Sequence, residues 1–255
     1  MPAVPVEPAV PAVTGVPAPV EPEYAAPALD KGLDILELLA ATSGGLSQAQ
    51  VASGVGRSVG QIFRVLSTLE RRGYVHRDAQ SGLYVLSLRL FDLAHRHDPL
   101  RGLLQASVGP MRALADATEQ SCNLSVEDAG LSRVVAQVES PGDFGFRVRV
   151  GALFPLDETA TGEVLRAFRD TVPDARDADL GAVRAAGHVE RGDELHAGVI
   201  DVVFPVLRPD GTAVAALTVP YVATRVSVSG VDEVVRLARE TASQIAASLF
   251  PASTP

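Results

Sequence analysis

The stretch that decides the fold is Ser58-Val59-Gly60-Gln61-Ile62-Phe63-Arg64-Val65-Leu66-Ser67-Thr68-Leu69-Glu70-Arg71-Arg72. Its large aliphatic residues recur at i, i+3, i+4 and i+7, which predicts a helix that buries one face. Three arginines, Arg57, Arg64 and Arg71, are spaced seven apart and would return to nearly the same side of such a helix. We expect an apolar back and a cationic front, which suits a DNA major groove. A solvated surface helix is the simpler alternative.

The residues before this stretch predict a second, shorter helix. Residues 46–55 carry inward-facing valines and begin with Ser47, a good N-terminal cap. Gly54-Val55-Gly56 then makes a tight corner into the long helix, and two helices joined in this way form a helix-turn-helix. An apolar helix at residues 30–41 is expected to pack behind them.

The residues after the stretch predict a small β-hairpin. Gly73 is a helix stop, and residues 74–77 and 83–86 are short apolar runs typical of strands. Residues 78–82, Asp-Ala-Gln-Ser-Gly, form the turn between them. Two strands that follow a helix-turn-helix make a wing, so the N-terminal region is predicted to be a winged helix-turn-helix.

The ordered set of motifs resembles the isocitrate lyase regulator (IclR-type) family of bacterial transcription factors. The likeness is carried by residues 28–36, 65–75 and 84–87, and in the second half by residues 151–156, 159–162 and 198–219. It covers nearly everything between Ala28 and Leu249. The resemblance implies an α+β fold, in which a linker helix joins the winged domain to a C-terminal antiparallel-sheet domain of the GAF or profilin-like type. That second domain would bind a small effector molecule.

These expectations divide the chain into five parts: a Pro/Ala-rich tail at 1–27, a DNA-binding domain at 28–87, linker helices at 88–117, an effector-binding domain at 118–250 and a tail at 251–255. Within the C-terminal domain, alternating and turn-flanked segments predict five strands, at 122–127, 132–139, 144–150, 199–207 and 213–219. Apolar periodicity predicts three helices, at 159–170, 174–186 and 231–249.

Composition and charge limit the cellular compartment and the binding partners that we expect for this protein. The 255 residues have a formal net charge of -9, yet between Arg57 and Arg77 five arginines stand against Glu70 alone. Affinity for phosphates depends on such a local patch, so the overall acidity does not exclude a nucleic-acid partner. Cys122 is the single cysteine, which excludes an intramolecular disulfide and favours a reducing cytoplasm. We expect no secretory signal and no membrane segment.

We assign DNA contacts to seven residues of the winged domain. Those expected to reach base edges are near the start of the reading helix: Arg57, Ser58, Gln61 and Arg64. Those expected to hold phosphates are farther along: Arg71, Arg72 and Arg77. Val59 and Gly60 stand where members of the family commonly have a lysine and a serine, so two polar contacts would be missing here.

The resemblance also implies an effector pocket between a helix start and a facing pair of strands. The corresponding residues are Asp157, Ala160, Thr161, Gly162, Arg191, Asp201, Thr218 and Pro220. Backbone N–H groups at the helix start could take a carboxylate, which favours an organic acid. Asp157 and Asp201 depart from the family, where histidine and cysteine are common, and Asp201 would repel a simple anion unless Arg191 balances it. Asp157 could equally be a plain helix cap.

We therefore predict a ligand-responsive transcriptional regulator, repressor or activator, of a catabolic operon. Double-stranded operator DNA and a small metabolite are its expected partners, and the resemblance implies dimers or tetramers. The sequence shows no nucleotide fingerprint and no metal-ligand spacing, so neither a cofactor nor a metal is predicted. Two alternatives stay open: an enzyme using Asp157 and Asp201 as an acid pair, and a regulator that binds DNA without any effector. Cys122 is expected to be a small buried hydrophobe rather than a redox sensor.

Overall fold

The computed structural model describes residues 26–96, 98–170, 178–193, 196–223 and 228–251. The chain divides into two compact units, one ending at Arg101 and the other beginning at Gly102. Most of both predicted tails lies outside the described residues. Pro27, which the sequence analysis placed in the N-terminal tail, is instead the first residue of a helix. Its fixed φ and missing N–H suit that position.

The N-terminal unit is a winged helix-turn-helix followed by a short helix. Its elements are α1 (Pro27–Ala41), α2 (Gln48–Gly54), α3 (Val59–Arg71), β1 (Val75–Arg77), β2 (Tyr84–Leu86) and α4 (Arg89–His95). Its core joins α1, α2 and α3 to both strands through Ile35, Leu39, Val51, Ala52, Ile62, Leu66, Val75 and Tyr84. A mutual pair of backbone hydrogen bonds between Leu46 and Tyr84 ties the wing to the segment before α2. The predicted architecture of this unit is confirmed.

Both helices of the helix-turn-helix begin with the same capping motif. Ser47 and Gln50 at the start of α2, and Ser58 and Gln61 at the start of α3, each form a reciprocal capping box. In this arrangement the serine hydroxyl accepts from the backbone N–H three residues on, and the glutamine side chain accepts from the serine N–H. The Ser-x-x-Gln spacing therefore sets where each helix starts.

The C-terminal unit is an antiparallel sheet with helices on both faces, which makes it α+β. Its described elements are α5 (Asp98–Thr118), β3 (Cys122–Asp128), β4 (Leu131–Val138), β5 (Leu153–Pro155), α6 (Ala160–Ala167), α7 (Ala178–Ala186), β6 (Val189–Gly192), β7 (Val199–Leu207), β8 (Ala213–Val222) and α8 (Val231–Leu249). Across the described residues, six strands pair in the order β5-β4-β3-β8-β7-β6.

Alternation along the strands sends neighbouring residues into two separate cores. Val202 and Leu217 belong to the core that α5 and α8 cover, whereas Val203 and Ala216 belong to the core beneath α6 and α7. The second face is the one that positions the candidate effector site, because α6 begins above it. Over the described ranges, no helix is both long and apolar enough to cross a membrane.

Three details of the C-terminal unit differ from the sequence-based expectations. Residues 144–150 were predicted as a strand, but the strand that pairs with β4 is β5, where Leu131 faces Pro155. Apolar and polar residues alternate along residues 144–150, but neither set of side chains is buried, since every residue there is at least partly exposed. Strand β6 was not predicted, and β8 extends three residues beyond Val219. The predicted start of α7, at 174–177, lies outside the described residues.

Candidate functional site

The reading helix α3 presents a polar, cationic face to solvent. Ile62 and Leu66 are fully buried against the rest of the unit, while Gln61, Arg64 and Thr68 on other sides of the helix are exposed. Within α3, the positively charged residues are Arg64 and Arg71. The helix therefore has the apolar back and cationic front that the periodicity predicted.

Three residues predicted to read bases, Arg57, Ser58 and Gln61, belong to the turn before α3 or to its capped start. Arg57 precedes the cap of α3, so it is an exposed residue of the turn and does not share a helix face with Arg64 and Arg71. Gln61 Oε1 accepts a hydrogen bond from the Ser58 backbone N–H at 3.0 Å, and Ser58 Oγ accepts from the Gln61 N–H at 3.4 Å. Both side chains thus serve the helix start, which the seven-residue spacing of the arginines did not indicate.

The residues assigned to phosphates surround the far end of the helix and the wing. Arg71 is the last residue of α3 and Arg72 is its C-terminal cap, and both are exposed. Arg77 lies on β1, where its Nε donates to the Gly82 carbonyl at 2.8 Å and its guanidinium stands 5.8 Å from the centre of the Tyr84 ring. These contacts hold Arg77 on the wing, where the residue is exposed.

Sequence reasoning missed two apolar side chains on the same helix. Phe63 is 55% exposed and Val59 is 46% exposed, although both are large hydrophobic residues. Periodicity gave no clear signal of this exposure, because Val59, Ile62, Phe63 and Leu66 also recur at i, i+3, i+4 and i+7. Gly60 lies between them, and a Cβ built there would meet nothing within 4 Å.

The candidate effector site is a small cleft at the start of α6. It is lined by Glu158, Thr159, Ala160, Arg191, Gly192, Asp193 and Asp201 and has a volume of about 20 Å³. A space of that size holds a water molecule rather than a metabolite. Three of the residues predicted for the effector, Ala160, Arg191 and Asp201, meet there. Sequence reasoning missed Asp193, because four-residue β6 is too short to show periodicity.

Charge around the cleft is mostly negative. Burial, with repulsion from Asp193 as the next cause, raises the pKa of the Asp201 carboxyl to about 6, while Arg191 acts in the opposite direction. Arg191 Nη1 also lies 3.3 Å from Glu163 Oε2 of α6. Asp193 Oδ1 accepts from the His196 backbone N–H at 2.7 Å and lies 3.1 Å from His196 Nδ1. One arginine therefore stands among several carboxylates.

The remaining predicted effector residues have distinct surroundings. Thr161 Oγ1 and Thr218 Oγ1 are 2.8 Å apart, so a hydroxyl pair links α6 to β8, and Pro220 is buried opposite Asp201 in the β7–β8 ladder. The Gly162 N–H donates to Thr159 Oγ1 at 3.0 Å. Thr159 rather than Asp157 caps α6, which corrects the alternative interpretation of Asp157. Asp157 itself is exposed and is not among the residues lining the cleft.

Gly162 has a packing role that its predicted role did not include. A Cβ at this position would lie 2.3 Å from the Leu156 carbonyl oxygen and 2.5 Å from its Cα. Only glycine lets α6 approach the backbone of the preceding segment this closely. The glycine therefore fixes how closely the start of α6, which lines the cleft, approaches the chain that follows β5.

Cys122 is fully buried at the start of β3, and its Sγ lies 3.5 Å from the Met111 carbonyl oxygen. Burial raises the pKa of its thiol to about 12. A thiol that stays protonated is a poor nucleophile and reacts slowly with oxidants. The environment is that of the small buried hydrophobe that the sequence predicted.

Comparison with known families gives two matches along the chain. The model described as the IclR helix-turn-helix domain matches residues 28–79, and the model described as the bacterial transcriptional regulator IclR C-terminal domain matches residues 100–176. The two matches are in the order that the motifs predict, and together they span about half of the chain.

Individual proteins extend the likeness beyond those two regions. The HTH-type transcriptional regulator KdgR of Escherichia coli is 26% identical over 221 residues, covering 78% of this chain and 84% of that protein. The glycerol operon regulatory protein of Streptomyces coelicolor is 27% identical, with 70% and 78% covered. Among solved structures, an IclR homolog from Microbacterium hydrocarbonoxydans complexed with 4-hydroxybenzoate superposes with a TM-score of 0.69 at 18% identity, covering 87% of this chain and 98% of that one.

Proposed function

Because this chain belongs to the IclR family of bacterial transcriptional regulators, we propose that it controls a catabolic operon by binding operator DNA in response to a small metabolite. Its curated relatives are transcriptional regulators rather than enzymes. The site favours the same class, because Asp157 and Asp201, the acid pair that an enzyme would have needed, do not both line the cleft.

The observation that carries the proposal is the exposed cationic front of α3 in a helix-turn-helix. Arg64 lies in the middle of that helix, on the side away from buried Ile62 and Leu66. An arginine there can donate two hydrogen bonds to guanine in the major groove. Ser58 and Gln61 contribute through the capped helix start, whose N–H groups favour a phosphate. Arg57, Arg71, Arg72 and Arg77 supply phosphate contacts around it.

We expect Arg64→Ala to weaken binding to the operator about 10- to 100-fold, which corresponds to the loss of one bidentate base contact. Binding to random duplex should fall much less, because that binding depends on phosphates alone. Quantitative gel-shift titration with both duplexes measures the two losses. Arg112→Ala, which removes an exposed arginine from α5, is the matched control and should leave both affinities unchanged. Equal losses on the two duplexes would contradict base reading by Arg64.

For the effector we propose a small organic acid that also carries a hydrogen-bond donor. Arg191 and the backbone N–H groups of Ala160 and Thr161 would take its carboxylate, and Asp201 would accept from its hydroxyl or amine. Thr218, whose hydroxyl is 2.8 Å from that of Thr161, and Pro220, opposite Asp201 in the ladder, would form the floor of the widened site. The Microbacterium neighbour supports this class, since 4-hydroxybenzoate has both groups. The cleft must widen to admit such a molecule.

A thermal-shift screen tests this assignment. The effector should raise the unfolding temperature of the natural protein more than that of Asp201→Ala. An equal rise for the two proteins would contradict the assignment.

We also propose that the protein is a homodimer, or a pair of dimers. The described residues of α1 and α4 expose large apolar side chains that a partner copy could cover: Leu29, Leu33, Leu90, Phe91 and Leu93. Two reading heads would then meet operator half-sites about 34 to 36 Å apart, or a multiple of that spacing. Light scattering measures the mass, and a chain that stays at 26.6 kDa at micromolar concentration would contradict the dimer.

We propose that each predicted domain has its own function. Residues 28–87 would bind DNA, residues 118–250 would bind the effector, and the helices within 88–117 would link the two responses. The effector could change operator affinity only by as much as it prefers one arrangement of the dimer over another. A protein whose operator affinity does not respond to any metabolite of the operon would instead be a constitutive regulator.

A further inference from the structure

Two exposed apolar side chains on the reading helix are left unexplained by the proposed arginine contacts. Val59 and Phe63 are four residues apart, so they are neighbours on one side of α3. They are 46% and 55% exposed, and neither belongs to the core that Ile62 and Leu66 help to form. Phe63 directly precedes Arg64, the residue that is placed to read a base.

The charged residues around this apolar pair indicate which class of partner covers it. Five arginines and a single glutamate lie between residues 57 and 77, and a cationic surface of that kind favours a polyanion over an apolar protein partner. Gly60, one turn before Arg64, adds no side chain on the exposed side. The backbone of α3 can therefore approach a groove closely between the apolar pair and the arginine.

The major groove offers one apolar feature to such side chains. Thymine carries a methyl group at C5 beside its O4 acceptor, and none of the other three bases carries a methyl group in the major groove. A side chain that contacts this methyl group selects thymine without donating or accepting a hydrogen bond.

We propose that Phe63 and Val59 recognise thymine methyl groups in the operator, at base pairs adjacent to the one that Arg64 contacts. This inference rests on the proposed function, because it requires that α3 enters the major groove. It identifies two specificity-determining residues beyond the seven polar ones predicted from the sequence. It also states the base that the operator carries beside the guanine read by Arg64.

The experiment begins with selection of bound duplexes from a library with a randomised core, using the full-length natural protein. Thymines of the selected motif are then replaced one at a time by deoxyuridine, which removes the methyl group and keeps every hydrogen bond. At the contacted thymines we expect affinity to fall about fourfold for each methyl group lost. At the remaining thymines the affinity should not change.

Variants assign the effect to its side chain. Phe63→Ala should bind the thymine and deoxyuridine duplexes equally at one position, whereas Phe63→Leu, which keeps an apolar group, should retain part of the discrimination. Phe63 is exposed, so its loss should leave the thermal unfolding of the winged domain unchanged. Phe144→Ala, which removes a phenylalanine that is 85% exposed in the C-terminal unit, is the matched control and should keep the full discrimination.

The outcomes separate this inference from the proposed function. A selected motif that contains no thymine sensitive to deoxyuridine would overturn the inference and leave DNA reading by α3 intact. The same holds if Phe63→Ala and Val59→Ala both keep the full thymine preference of the natural protein. If selection yields no motif at all, sequence-specific binding itself fails and the inference fails with it.

Discussion

At Asp201 a carboxyl group is partly removed from water beside a second carboxylate, Asp193. Burial is the larger cause and repulsion from Asp193 the next, and together they raise the pKa of Asp201 from 3.8 to about 6. Between these two values the folded protein binds more protons than the unfolded chain. The contribution of Asp201 to the free energy of unfolding therefore falls as pH rises through this range, and the loss persists at higher pH.

We expect Asp201→Asn to raise the free energy of unfolding by about 1–2 kcal/mol near neutral pH and by almost nothing near pH 3. The full pKa shift would correspond to a larger free energy, and we expect less because solvent still reaches the carboxyl group. Urea unfolding of the natural protein and the variant across this range measures the difference. Asp157→Asn, at an exposed carboxylate in the segment before α6, is the control variant and is measured in the same way. A gain from Asp201→Asn that is the same at every pH would contradict the raised pKa.

Individual residues were predicted well where short-range spacing decides their position. The apolar stripe of α3 identified Ile62 and Leu66 correctly, because helix periodicity follows from the sequence alone. The spacing of Arg57 and Arg64 was misleading, since Arg57 lies before the helix begins. Ser58 and Gln61 were predicted to contact bases, which stays a prediction, and the structure adds a capping-box role that their Ser-x-x-Gln spacing already indicated. The acidic neighbours of Asp201 in the cleft, Glu158 and Asp193, come from segments distant in sequence and could not be predicted locally.

At the level of elements, α6 depends on a single small residue where it passes the end of β5. Gly162 approaches the Leu156 backbone so closely that even a methyl group would collide with main-chain atoms. Backbone cannot rotate away as a side chain can, so the helix start itself would have to move. The cleft at Ala160 and Thr159 would move with it.

We expect Gly162→Ala to lower the free energy of unfolding of the C-terminal unit by about 3 kcal/mol through this overpacking. Gly181→Ala is the control, because Gly181 lies on α7 and a Cβ there would meet nothing within 4 Å. It should instead raise the free energy of unfolding by up to about 1 kcal/mol through helix propensity. Denaturant titration of both variants compares them. A Gly162→Ala protein as stable as the Gly181→Ala protein would show that α6 adjusts freely.

Two long elements with a regular pattern were predicted with correct limits, whereas the end of β8 and the short edge strands were not. Strand β7 and helix α8 begin and end where the sequence indicated, because each buries a full face and shows its period clearly. Residues 144–150 alternate like a strand, yet β5 takes the pairing position beside β4. Pairing at a sheet edge is decided by the partner strand, and a three-residue strand such as β5 has too few positions to show alternation.

On the scale of the whole molecule, charge is divided between the two units. The formal net charge is -9, but the segment from Arg57 to Arg77 is positive. An acidic body limits nonspecific attraction to the DNA backbone, and a local cationic patch directs the reading helix to it. The same separation explains why composition alone pointed away from a nucleic-acid partner. The order of motifs and the local charge predicted the function that the family matches support.

The most direct test of the whole account is the affinity of the full-length protein for the duplex immediately upstream of its own gene. The comparison is with a shuffled duplex of equal length and composition, at several salt concentrations. We predict binding at least about 1000-fold tighter to the natural duplex, with an affinity that falls steadily as salt rises. Equal affinity for the two duplexes, or an affinity that salt does not change, would contradict a winged domain that reads operator DNA.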